Sequence, residues 1–94
     1  MVEEKRVPNR KRVLKDGRVL LRGSRVTYDC AIRVVSRTGA KIRLQIDSIT
    51  LPDEFELVFV ADNLAYPTIR KWQRGQEAGV AFSGPPRPVK ARIN

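Results

Sequence analysis

The chain has 94 residues, 41% of them hydrophobic, which lines one small core and is too little to divide between two. It has no histidine and Cys30 is its single cysteine, which excludes an imidazole general base, an intrachain disulfide and a metal site built on several thiolates. With 19 Lys and Arg against 10 Asp and Glu, the formal charge is +9 on 10.7 kDa, so an anionic partner is expected, whether nucleotide, nucleic acid, acidic protein or membrane surface.

Residues 1–15 are dominated by charge, with Lys5, Arg6, Arg10, Lys11, Arg12 and Lys15 against Glu3 and Glu4. So little apolar surface predicts a flexible basic arm. Charges at the start in place of an apolar signal core, and no run near the roughly 20 apolar residues of a membrane helix, predict a soluble cytoplasmic chain with no membrane span. Asp16-Gly17 signals a turn, the apolar run Val19, Leu20 and Leu21 a first strand, and Gly23-Ser24 a second turn. Tyr28, Cys30, Ile32 and Val34 then alternate with Asp29, Ala31 and Arg33, the two-residue period of a strand with one buried face. That strand ends at Ser36, and after Thr38-Gly39 the alternation resumes as Ala40, Ile42, Leu44 and Ile46 against Lys41, Arg43 and Gln45. A tight connection between two antiparallel neighbours follows.

Leu51-Pro52-Asp53 interrupts the pattern, and Phe55, Leu57 and Phe59 against Glu54 and Glu56 mark a fourth strand, closed by a turn at Asp62-Asn63. Strands over about 67–72 and 79–82 flank the polar stretch 73–77. Short strands at close spacing, each with one apolar face, predict an all-β fold: a six-stranded antiparallel barrel over 16–83, whose closure removes exposed edges. Pro85, Pro86 and Pro88 cannot sustain a ladder, so 84–94 reads as an extended or disordered tail.

A basic arm carrying Arg6-Val7-Pro8-Asn9-Arg10, a strand running from Asp29 into Ser36-Arg37-Thr38-Gly39-Ala40, Pro52-Asp53-Glu54-Phe55, and Trp72 followed by Gly79-Val80-Ala81-Phe82 occur in this order. In that order and content the chain resembles the PilZ domain family, bacterial receptors for the second messenger cyclic di-GMP. The resemblance spans nearly the whole chain. It implies a PilZ-type barrel, cyclic di-GMP as ligand and a protein effector as partner. It also implies that Arg6 and Arg10 fill the family's Arg-x-x-x-Arg motif, while Ser36 and Gly39 fill the end of its Asp/Asn-x-Ser-x-x-Gly motif. Lys5, Arg33 and Arg37 are weaker candidates beside them.

The chemistry suits these residue types. A guanidinium presents a fixed fork of donors to two phosphate oxygens or to the O6 and N7 edge of guanine. A serine hydroxyl can bond a phosphate or base, and a glycine admits a left-handed turn whose amides meet an anion. The Arg-x-x-x-Arg spacing recurs at Arg18/Arg22, Arg33/Arg37 and Arg70/Arg74, so position before the first strand singles out Arg6 and Arg10. Where the family carries Asp or Asn, this chain has Val34, which cannot accept from guanine N1 and N2. By its phase Val34 reads as core, continuing Cys30 and Ile32.

Trp72, a lone aromatic late in a strand, also reads as core. Cys30 reads as a small buried hydrophobe and Asp53, Glu54 and Glu56 as a solvated outer face. No acid, base and nucleophile constellation is visible, so a binding module is expected in place of an enzyme. The second reading is a degenerate PilZ domain that binds no nucleotide and serves as a protein-interaction adaptor. The third is a basic barrel that binds nucleic acid, disfavoured because the strands lack a cluster of exposed aromatics.

Overall fold

Runs in which apolar residues recur at every second position build strands, because successive side chains point to opposite faces of a sheet. In a computed structural model that describes residues 11–23 and 26–89, they form β1 (Lys11–Leu20), β2 (Thr27–Val35), β3 (Gly39–Leu44), β4 (Glu54–Phe59), β5 (Leu64–Arg74), β6 (Glu77–Phe82) and the short β7 (Arg87–Pro88). A 3-10 turn, Val60–Asp62, ends at Asn63 in the left-handed region and leads from β4 into β5. All pairings are antiparallel in the order β4-β1-β2-β3-β6-β5-β7, and β4 pairs with β5 as well. This closes β1–β6 into the expected six-stranded barrel, each strand with a partner on both sides. No helix among the described residues is long and apolar enough to cross a membrane.

The inward faces of the strands meet in one core of Val19, Cys30, Ile32, Ile42, Leu44, Leu51, Phe55, Leu57, Phe59, Ala78 and Val80. Each large side chain among them stabilises the fold by about 1.5–3 kcal/mol through removal from water. Leu51 enters from the connection 45–53, which Gln73 pins down. The Gln73 Oε1 accepts from the Leu51 N–H at 2.9 Å, and its Nε2 donates to the carbonyls of Ile49 at 2.9 Å and Gly75 at 3.1 Å. The Arg70 guanidinium adds a bond to the Leu51 carbonyl at 2.8 Å. Phe59, Tyr66 and Phe82 pack ring on ring where β4, β5 and β6 meet, with centroids 5.1 Å apart for Phe59 and Tyr66 and 4.5 Å for Tyr66 and Phe82.

The structure differs from the sequence expectation at both ends of the barrel. β1 starts at Lys11, so 11–15 is strand where charge predicted arm, and Asp16-Gly17 sits in mid-strand opposite Ala31 and Cys30 where a turn was expected. Pairing goes through backbone groups, and a charged stretch can complete the ladder of β2 as well as an apolar one. In the Pro-rich tail, Arg87 and Pro88 pair with Ala65 and Leu64 at the start of β5, which β6 does not reach, and there the N–H that proline lacks is not needed. Arg87 grips Glu56 through two bonds of 3.1 and 2.6 Å, which hold its guanidinium above its ordinary pKa. Residues 1–10, with Lys5, Arg6 and Arg10, and 90–94 lie outside the described residues.

Candidate functional site

Two β-bulges decide which residues face outward at one side of the barrel. Between Ile32 and Val34, β2 takes two steps against one on β3, since Ile32 pairs with Ile42 and Val34 with Lys41. The extra residue is Arg33, and it inverts the phase of everything after it. Val35 therefore packs against the core, and Val34 turns out to line an exterior cleft. The reading of Val34 as a core residue in line with Cys30 and Ile32 is corrected accordingly.

The second bulge lies in β5, where Arg70 pairs with Val80 and Trp72 with Gly79, leaving Lys71 extra. Simple alternation from the buried Thr68 puts Trp72 inside. The bulge places it outside, 42% exposed, which corrects the core assignment. Its indole lies directly on Gly79: a Cβ there would come within 2.6 Å of Cε2 and closer still to Nε1. The register then carries a continuous outer row from Val34 to Lys41 to Gly79 to Trp72. At roughly 4.8 Å between strands, this floor is about 14 Å wide.

The cleft above it encloses about 730 Å³. Val34, Lys41, Gly79 and Trp72 form its floor, and Ser36, Thr38, Gly39, Lys71 and Ala81 complete the lining. None of its lining residues among those described is acidic. Lys41 and Lys71 are exposed, and so are Arg33 in the bulge and Arg37 in the turn.

Of the sequence-predicted residues, Ser36 and Gly39 thus meet in the cleft, with Arg33 and Arg37 on the adjoining bulge and turn. Ser36 organises that turn. Its Oγ accepts from the N–H groups of Thr38 and Gly39, each at 3.2 Å, while its own N–H donates to the Gly39 carbonyl at 2.9 Å. The amides of Ser36, Thr38 and Gly39 are therefore engaged within the chain. Gly39 does not take the left-handed conformation, which among the described glycines belongs to Gly23 and Gly75. Its need for glycine is close approach: a Cβ would overlap the Val80 carbonyl oxygen and stand 3.2 Å from the Ala81 Cα.

Charge is segregated around the barrel. Lys15, Arg18, Arg22, Arg43, Arg70 and Arg87 pair with Asp62, Asp29, Glu54, Glu77, Asp53 and Glu56 respectively. Asp53, Glu54 and Glu56, expected as a solvated face, are thus each neutralised by an arginine. Arg33, Arg37, Lys41, Lys71 and Arg74 have no carboxylate partner among the described residues. They sit on the bulge of β2, the turn that follows, β3 and the end of β5, so the unneutralised charge gathers beside the cleft.

Cys30 contributes nothing to this chemistry: burial, with the Asp29 charge beside it, pushes its thiol up to about 12, and a thiol that stays protonated is a poor nucleophile. The residues that sequence reasoning missed are Lys41, Lys71, Trp72 and Gly79. Their one advance signal was the small residue pair Gly79 and Ala81 opposite a strand with a large aromatic, a pattern that bulges alone convert into a site. No protein-family model matches the chain, and no curated protein matches it.

Proposed function

We propose that this domain is a cyclic di-GMP receptor of the PilZ type, a binding module that passes the messenger level to a protein effector in the bacterial cytoplasm. The observation that carries the reading is the register of β1 on β2: Lys11 pairs with Val35, one residue before Ser36. Arg10 is bonded to Lys11, so the arm joins the barrel beside the 36–39 turn. From that junction Arg6 is five residues away, a reach of at most roughly 17 Å in extended chain. Both arginines can therefore fold over a cleft whose described lining residues include no carboxylate. In this reading Arg6 and Arg10 grip guanine edges and phosphates, Lys41 and Lys71 neutralise the phosphates, and the indole of Trp72 stacks on a base. Ligand binding then orders the arm and changes the surface an effector meets.

Val34 on the cleft floor supports a second reading, an adaptor that binds no nucleotide, because that position offers no acceptor for guanine N1 and N2. Calorimetric titration of the chain with cyclic di-GMP, beside an Arg6→Ala, Arg10→Ala double variant and a GTP control, separates the two. Saturable heat that the double variant and GTP fail to give supports the receptor, and Val34→Asp then tightens binding about tenfold, the value of one added charge-assisted hydrogen bond. No heat at high messenger concentration overturns the receptor in favour of the adaptor.

A further inference from the structure

The positive charge beside the cleft exceeds what a dinucleotide neutralises. Cyclic di-GMP carries one phosphate per nucleotide, whereas Arg33, Arg37, Lys41, Lys71 and Arg74 all lack carboxylate partners among the described residues. The concavity also continues past Trp72. On its far side lies a second cleft of about 580 Å³, lined by Ser48, Thr50, Gln73 and Asp47 and sharing Lys71 and Trp72 with the first. Trp72 is therefore a ridge between two hollows, held on a glycine, exposed and flanked by lysine.

We infer that this face binds single-stranded nucleic acid, with the strand crossing Trp72 from one cleft into the other. Single strands are held by cations that follow the phosphates and by aromatic rings on which unstacked bases lie. The cations are present, the ring is the single exposed indole of Trp72, and Arg74 continues the outward face of β5 two residues beyond it. Among the described residues Asp47 is the one carboxylate lining the second cleft, and it suits the exocyclic amine of a base and repels a phosphate. A duplex fits poorly, because its bases are already stacked on one another and leave the indole nothing to stack on. The aromatic that sequence reading assigned to the core is the one this inference needs, and the Lys71 bulge puts it on the surface. The inference does not rest on the messenger reading: it uses both clefts and none of Arg6, Arg10 or the arm.

Trp72 is the only tryptophan of the chain, so its fluorescence reports the contact directly. The full chain is titrated with a single-stranded oligouridylate of about twelve nucleotides, enough to span a typical single-strand site, and with a duplex of equal length. Expected is quenching of Trp72 by the single strand alone. The logarithm of affinity should fall with the logarithm of salt at a slope of about −3, from roughly 0.7 per neutralised phosphate. Trp72→Ala, followed by retention on an immobilised oligouridylate, should weaken binding about tenfold. Lys41→Glu with Lys71→Glu should weaken it further and flatten the salt slope, while Arg18→Ala with Arg22→Ala, on the paired face, should leave it unchanged. A duplex bound as tightly as the single strand overturns the inference. So does binding indifferent to Trp72→Ala, and so does binding of anionic phospholipid vesicles by a protein that ignores the oligonucleotide.

Discussion

Gly79 and Trp72 show how much of the site hangs on one missing methyl group. The indole occupies the space a Cβ would need, so Gly79→Ala must lift the ring off the cleft floor while the β6 ladder stays paired. We expect the tryptophan emission to shift to the red and its acrylamide quenching to rise, at a stability cost of about 1 kcal/mol. Unchanged emission would mean that the indole does not lie on Gly79. Cys30 makes a second prediction at this scale. Its thiol, pushed up to about 12 from 9.0 by burial and by Asp29, stays neutral in the folded chain at pH values where the unfolded chain ionises. The stability this confers is complete below pH 9 and is lost as pH rises from 9 toward about 12. Urea unfolding of the native chain and of Cys30→Ala across that range isolates the effect: the native chain should lose its advantage over the variant as pH rises, and a constant difference would count against it.

Among the elements, β5 does most to shape the site. Its bulge turns Trp72 and Arg74 outward, and the same inversion turns Gln73 back toward the connection 45–53, where it holds Leu51 and Ile49 by their backbone groups. Gln73→Ala leaves the half-buried Leu51 N–H without its acceptor, a loss of about 1–3 kcal/mol. It also frees a segment that lines the second cleft. A lowered urea midpoint together with new proteolytic cleavage within 45–53 is the expected result, and a connection as resistant as the native one would show that the burial of Leu51 and the bonds from Arg70 hold it without Gln73. The β2 bulge acts in the same manner on Val34, and β1 contributes by running on to Lys11, which brings the arm's attachment point to the 36–39 turn.

Over the whole molecule, barrel closure and charge segregation act together. Each strand of the barrel has a partner on both sides, so the outer surface is left for side chains, and the ion pairs spread over β1, β4, β5 and β7 draw the acidic residues away from the cleft. Net charge was legible from composition, yet its placement was not, because Arg43 and Lys41 are neighbours on one strand and only Arg43 has Glu77 within reach, at 3.6 Å. The barrel itself was legible because period-two alternation in Tyr28 to Ile32, Ala40 to Leu44 and Phe55 to Phe59 is a local property of the chain. So were Ser36 and Gly39 as members of one turn. The start of β1 and the pairing of Arg87 and Pro88 were not legible, since backbone pairing leaves no mark on side-chain pattern.

By itself, then, the amino-acid sequence determined an all-β barrel with one core, a surplus of positive charge and a turn at 36–39, all of which follow from composition and from alternation over a few neighbours. Only the tertiary structure decided that Val34 and Trp72 face outward, that Lys41 and Lys71 border one cleft and that Trp72 rises between two. The physical reason is that a bulge is set by the register between two strands, and a single extra residue inverts every side chain beyond it.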